Sequence, residues 1–157
     1  KIVNRNGKII FEKKVLQPTQ VIDERAAFII KDILQEAGRR GTAKKINELD
    51  RADFSGKTGT TNEAESTWFT GFNNFLVTTV WVGFDQPRSL GNREFGSSIA
   101  LPIWLDFIKN NLEEIPIDTS IPPKGIVAVK IDKTTGKRVG EDSNNSIFEY
   151  YLEEKSP

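Results

Sequence analysis

Between residues 54 and 84 three runs rich in β-branched and aromatic side chains follow one another with only turn-sized gaps, and no other stretch constrains the fold as much. The runs are Phe54–Thr61, Ser66–Phe72 and Leu76–Phe84, with Asn73-Asn74 predicting a tight turn between the last two. Together they predict an antiparallel meander. The third run is apolar at Leu76, Val80, Val82 and Phe84 and also at Val77 and Trp81. That pattern predicts a strand covered on both faces and central in a larger sheet.

Two amphipathic patterns flank the meander. Ala26, Ile29, Ile30, Ile33 and Ala37 fall at helical spacing between Asp23, a candidate N-cap, and Gly38, a candidate C-cap. Leu101, Trp104, Leu105, Ile108 and Leu112 mark a second helix, with Pro102 in its first turn, where a missing N–H costs nothing. One apolar stripe on each predicts that both helices lie in a common layer. Lys1–Val3 and Lys8–Lys14 around Asn6-Gly7 predict a hairpin with a two-residue primed turn at the rim of the domain. Residues 85–99 read as a loop, and Pro116, Pro122 and Pro123 bracket a linker. Ile126–Ile131 alternates as a strand, Asp132–Lys137 carries turn chemistry around Gly136, and Glu141–Ser146 predicts a mobile stretch.

Composition narrows the chemistry. The 157 residues carry 22 basic and 22 acidic side chains and no histidine, cysteine or methionine. Balanced charge leaves no basic excess to displace counterions, which argues against nucleic acid as a partner. Without His or Cys there is no Ser-His-Asp relay, no cysteine nucleophile and no imidazole or thiolate metal site. Catalysis falls to Lys, Ser, Thr, Tyr, Asp or Glu, and neither metal nor cofactor is expected. The longest apolar run, Leu76–Phe84, is far shorter than the ~20 residues that span a bilayer. A chain without Met has no initiator, so the expectation is a piece of a longer protein.

The densest signal is Ser55-Gly56-Lys57-Thr58-Gly59-Thr60-Thr61. A phosphate-binding loop would need glycine five residues before the Gly-Lys pair and a helix directly after it, but Arg51 stands in that place and Gly59 follows Lys57. A strand-borne Lys-Thr-Gly gives each residue a task. Gly59 lets an extended ligand lie along the strand, Lys57 supplies positive charge, and Thr58 and Thr60 offer hydroxyls to a carboxylate. A backbone N–H near the strand end can face a developing oxyanion. A Gly-Thr-rich edge strand with lysine as a charge against aggregation accounts for the same residues without a ligand.

The surroundings of that heptapeptide carry a longer pattern. Lys57-Thr58-Gly59-Thr60-Thr61-Asn62, Trp68-Phe69-Thr70-Gly71-Phe72, Val80-Trp81-Val82-Gly83-Phe84-Asp85, Leu90-Gly91 and Ala100-Leu101-Pro102-Ile103-Trp104 occur in that order. So do Gly41-Thr42-Ala43 upstream and Pro123-Lys124-Gly125, Ile131-Asp132 and Thr135-Gly136 downstream. The set resembles the C-terminal half of the transpeptidase domain of class A, bifunctional penicillin-binding proteins over about residues 1–138. The resemblance implies an α+β fold in which an antiparallel sheet packs against helices, part of the serine β-lactamase/penicillin-binding transpeptidase fold. It divides the chain into residues 1–115, transpeptidase, and 116–157, an extension with a short β-hairpin and a flexible tail.

The resemblance also implies acyl transfer through a serine ester. A D-Ala-D-Ala stem peptide acylates the serine, the last D-Ala leaves, and a neighbouring stem peptide takes the acyl group; β-lactams imitate the donor. Carried onto this chain, Lys57 assists proton movement and balances the substrate carboxylate, Thr58 and Thr60 bind that carboxylate, Gly59 admits the ligand backbone, and the Thr60 N–H is an oxyanion donor. Thr61 and Trp68 are candidate substrate contacts, and Trp68 is equally readable as a core aromatic. The implied partners are stem peptides, β-lactams and an N-terminal remainder of the same protein, with a glycosyltransferase domain ahead of it. The implied setting is the inner membrane, with this domain in the periplasm and the anchor outside this sequence.

The pattern is incomplete. The mechanism needs Ser-x-x-Lys and Ser-x-Asn, and neither lies before Lys57. Thr42–Lys45, Thr134–Lys137 and Ser143-Asn144-Asn145 only imitate them. The chain alone is therefore expected to be inactive. A stand-alone serine β-lactamase or D-Ala-D-Ala carboxypeptidase fragment and a non-catalytic interaction module remain the alternatives.

Overall fold

The computed structural model describes residues 1–14 and 19–157, so residues 15–18 of the expected first unit lie outside the described residues. Along the chain come hairpin β1 (Ile2–Val3) and β2 (Ile9–Phe11), helix α1 (Glu24–Arg39), the meander β3 (Ser55–Thr60), β4 (Ser66–Phe72) and β5 (Val77–Gly83), helix α2 (Ala100–Asn111), and the pair β6 (Ile126–Asp132) and β7 (Ser146–Leu152). Every paired strand is antiparallel.

The meander holds an unbroken register, with Lys57 opposite Thr70, Gly59 opposite Trp68, and Trp68 opposite Trp81. Because successive side chains alternate across a strand, two faces separate. Phe69 and Gly71 turn to the face covered by α2, while Lys57, Trp68, Thr70 and Trp81 share the other. On the covered face Trp104 of α2 is fully buried and meets Phe54 and Phe69 edge-on, at ring distances of 5.6 and 5.1 Å. Trp104 lies close against the sheet only because Gly71 has no side chain. A Cβ there would stand 2.4 Å from Trp104 Cζ2. Leu101, Leu105 and Ile108 complete the buried stripe expected of this helix, each contributing roughly 2 kcal/mol by burial.

α1 departs from its sequence pattern in three ways. Asp23 is the N-cap, accepting from the Arg25 N–H at 2.8 Å, but Gly38 is not the C-cap. Gly38 is buried within the helix, where Ile46 and the Phe54 carbonyl press against it, and Arg40 ends the helix. The expected apolar stripe is also largely open, with Ile30 and Ile33 56% and 54% exposed. Phe28 packs instead edge-on against Tyr150 of β7 at 5.1 Å. Nor do the two helices form one layer: α1 packs along β3, α2 packs across β4 and β5, and the 3-10 segment Lys44–Leu49 touches both.

Four further expectations need correction. The first hairpin turns through Asn4–Lys8, and only Gly7 takes a positive φ (77°), so its turn is not the two-residue primed kind. Asn4 Oδ1 closes that loop by accepting from the N–H groups of Asn6 and Lys8. The β4–β5 turn runs from Asn73 to Leu76, with Asn73 Oδ1 accepting from the Phe75 and Leu76 N–H groups. β5 has β4 as its strand partner among the described residues, and the expected covering of both its faces is not met, since Val77 and Trp81 stand 68% and 46% exposed. Finally, Ser146–Leu152, in the stretch expected to be a flexible tail, forms β7, paired with β6 at seven positions from Ile126↔Leu152 to Asp132↔Ser146.

A polar latch fixes the end of the sheet from which β3 starts. Arg51 grips Asp53 with two bonds of 2.9 and 2.6 Å and also donates to the carbonyls of Ile115 (2.7 Å) and Pro116 (2.9 Å). Asp53, only 7% exposed, further accepts from Asn73 Nδ2 at 3.1 Å and the Asp118 N–H at 3.0 Å. Asp118 in turn pairs with Lys31 of α1 and accepts from Asn74. Burial alone would push the Asp53 carboxyl up, but the hydrogen bonds from Arg51, the Asp118 N–H and Asn73 outweigh it and hold the carboxyl at about 2. One cluster thus ties α1, the approach to β3, the β4–β5 turn and the segment after α2.

Candidate functional site

β3 carries the whole Lys-Thr-Gly segment and pairs with β4 alone, so its outer backbone edge has no strand partner among the described residues. An edge of this kind can accept an added strand. Strand alternation divides the candidate residues. Lys57 and Gly59 point to the open face, and Thr58 and Thr60 point to the other.

Lys57 is exposed, and its Nζ donates to the Thr58 carbonyl at 2.8 Å, a contact within its own strand. Thr58 Oγ1 lies 2.9 Å from Thr42 Oγ1 in the turn after α1. Thr60 Oγ1 accepts from the Gly96 N–H at 3.1 Å, a group carried by the loop between β5 and α2. That loop presses close: a Cβ on Gly96 would stand 2.5 Å from the Trp68 carbonyl oxygen and 2.7 Å from that of Gly59. The close approach expected at Gly59 is therefore met, on this side, by another stretch of the same chain.

Thr61 is engaged differently. Its hydroxyl accepts from the Ser66 N–H at 2.8 Å and donates to the Ser66 carbonyl at 3.2 Å, closing the β3–β4 connection. In that connection Glu63 and Ala64 both take positive φ (59° and 53°), and the Ala64 carbonyl accepts from the Leu90 N–H at 2.9 Å. Trp68 is 44% exposed and tilts against Trp81 at 6.2 Å, so it is not a core aromatic. The geometry thus gathers two braced hydroxyls on one face of an edge strand, a lysine and two tryptophans on the other, and leaves Thr61 in the turn. Thr42 and Gly96, which brace the hydroxyls, were not singled out for this role by sequence; the only signal was that Gly41-Thr42-Ala43 precedes the strand.

The antiparallel sheet packed against helices matches the fold of the penicillin-binding protein and β-lactamase superfamily. The structure matches a crystal structure of penicillin-binding protein 1A from Haemophilus influenzae with a TM-score of 0.80 and 36% identity, covering 92% of this chain and 22% of that one. Penicillin-binding protein 1A of Pseudomonas aeruginosa is 43% identical over 138 residues, 88% of this chain and 17% of the relative. Its counterpart in Neisseria gonorrhoeae is 35% identical over 99% of this chain and 18% of the relative. Over most of its own length the chain is thus similar in sequence and structure to proteins named penicillin-binding protein 1A. The chain spans less than a fifth of the length of these curated relatives. No protein-family model matches it. Among the described residues no helix is long and apolar enough to cross a membrane.

Proposed function

We propose that this chain is the C-terminal part of the transpeptidase domain of a bifunctional penicillin-binding protein and forms one wall of its substrate cleft. In this reading residues 1–115 belong to the transpeptidase and 116–157 form an extension. The whole protein cross-links peptidoglycan stem peptides through an acyl-serine intermediate and is acylated by β-lactams. It also carries a glycosyltransferase domain and sits in the inner membrane with this domain facing the periplasm.

The observation that carries the reading is β3 itself. It is an edge strand with no strand partner on its outer side among the described residues, and the hydroxyls of Thr58 and Thr60 are each held by a group from another segment. The donor peptide lies along β3, its terminal carboxylate meets Thr58 and Thr60, and the Thr60 N–H faces the developing oxyanion. Lys57 supplies positive charge and assists proton movement, and Gly59 keeps the ligand path free of a side chain. Thr61 and Trp68 flank the site as substrate contacts. The nucleophilic serine and its activating lysine come from the N-terminal remainder, because the chain holds no Ser-x-x-Lys before Lys57.

Labelled penicillin tests this directly. The purified chain should take no covalent label, and adding the N-terminal part of the domain should restore labelling. Labelling of the chain alone would sink the proposal.

A further inference from the structure

We infer that Thr42 is a positioning residue that aims the Thr58 hydroxyl at the substrate carboxylate; the inference rests on the transpeptidase reading above. α1 ends at Arg39 and the chain turns back at once, with the N–H groups of Gly41 and Ala43 donating to the Ala37 carbonyl at 3.1 and 3.2 Å. A Cβ on Gly41 would stand 2.8 Å from that carbonyl oxygen, so the turn closes this tightly only with glycine. Ala43 is fully buried. The backbone on both sides of Thr42 is thereby fixed. Its side chain stays exposed and reaches β3, where the two hydroxyl oxygens lie 2.9 Å apart.

A threonine hydroxyl has one proton and two lone pairs. To donate its proton to a carboxylate, Thr58 must not spend that proton on a neighbour. The Thr42 hydroxyl can donate into the Thr58 oxygen and leave the Thr58 proton free. Thr60 shows the same arrangement, since its oxygen already accepts from the fixed Gly96 N–H. Two hydroxyls on one strand face, each with an oxygen braced by a donor from a neighbouring segment, present two outward protons to an anion. Thr42 does not itself touch the ligand in this scheme. It fixes the direction of the group that does.

The test uses the full-length protein that contains this chain and a fluorescent penicillin, with stopped-flow acylation separating the binding constant from the maximal acylation rate. Thr42→Val is expected to weaken binding about fivefold, the value of one neutral hydrogen bond, with the maximal rate unchanged. Thr42→Ser should restore wild-type binding, and Thr42→Val should add nothing once Thr58→Val is present. The Thr42→Val penalty should vanish with the methyl ester of the same penicillin, which has no carboxylate. Thr42→Ala replaces the valine variant if the latter does not fold. The inference is overturned if Thr58→Val weakens binding while Thr42→Val does not, if the two penalties add in full, or if the penalty persists on the ester. Unchanged binding in Thr58→Val would refute the carboxylate role of Thr58, and the Thr42 inference would fall with it.

Discussion

Replacing Arg51 by methionine keeps the length of the side chain and removes its charge, leaving Asp53 buried without its ion-pair partner. The Asp53 carboxylate then loses the guanidinium and keeps only the Asn73 amide and the Asp118 N–H, while the carbonyls of Leu112, Ile115 and Pro116 each lose an Arg51 donor. Breaking a buried pair from one side costs about 3–5 kcal/mol, so urea unfolding at pH 7 should show a loss of that order. The pH dependence follows from the depressed carboxyl. Asp53 is held at about 2 against an ordinary 3.8, so its ionisation contributes about 2 kcal/mol of stability above pH 4, lost as pH falls towards 2. In the Arg51→Met chain burial is less opposed and the carboxyl rises, so the gap between the two proteins should narrow in acid. Repeating the titration at pH 5 and pH 2.5 measures this. Adding Asp53→Asn should recover part of the loss, because the buried charge is gone. A deficit below about 1 kcal/mol at pH 7, or one independent of pH, would refute the latch as the element holding this end of the sheet.

Gly71→Ala should cost about 2 kcal/mol or more, since the new Cβ would stand 2.4 Å from Trp104 and 2.9 Å from Phe69; an unchanged urea midpoint would contradict the packing. Lys57→Ala should leave the unfolding free energy of the chain within about 0.5 kcal/mol, because among the described residues the side chain bonds only to its own strand, yet abolish penicillin labelling of the full-length protein. Retained labelling would remove Lys57 from the site. Phe28→Ala and Tyr150→Ala should be non-additive by about 1 kcal/mol in a double-mutant cycle, reporting the seat of β7 on α1; strict additivity would mean that the ring contact contributes nothing.

The meander was legible almost to the residue because each of its strands alternates or runs apolar between clear turn signals, and its partners are neighbours in sequence. β7 was not. Ile147-Phe148 and Tyr150-Tyr151 break the period of two, and the partner Ile126 of Leu152 lies 26 residues away, so only tertiary pairing makes it a strand. Gly38 misled because a glycine near a helix end normally caps it, whereas here Ile46 needs the space. The latch left no trace in sequence either: Arg51, Asp53, Asn73 and Asp118 each read as ordinary loop polarity until folding gathers them. At the candidate site the residue types of β3 were readable, and their division between two faces followed from strand alternation once the strand was given. Thr42 and Gly96 as braces were not readable, because hydroxyl partners from distant segments have no local pattern.

The open face of the meander has an optical consequence. Trp68 and Trp81 are 44% and 46% exposed, while Trp104 is fully buried. The chain's intrinsic emission therefore combines two water-facing indoles, red-shifted and open to iodide or acrylamide, with one shielded indole that registers the state of the core. Covering the open face should turn the first signal blue and close it to the quencher while leaving the second alone. The two water-facing tryptophans thus make a built-in gauge of any surface that closes over this side of the sheet, separate from the gauge of its folding.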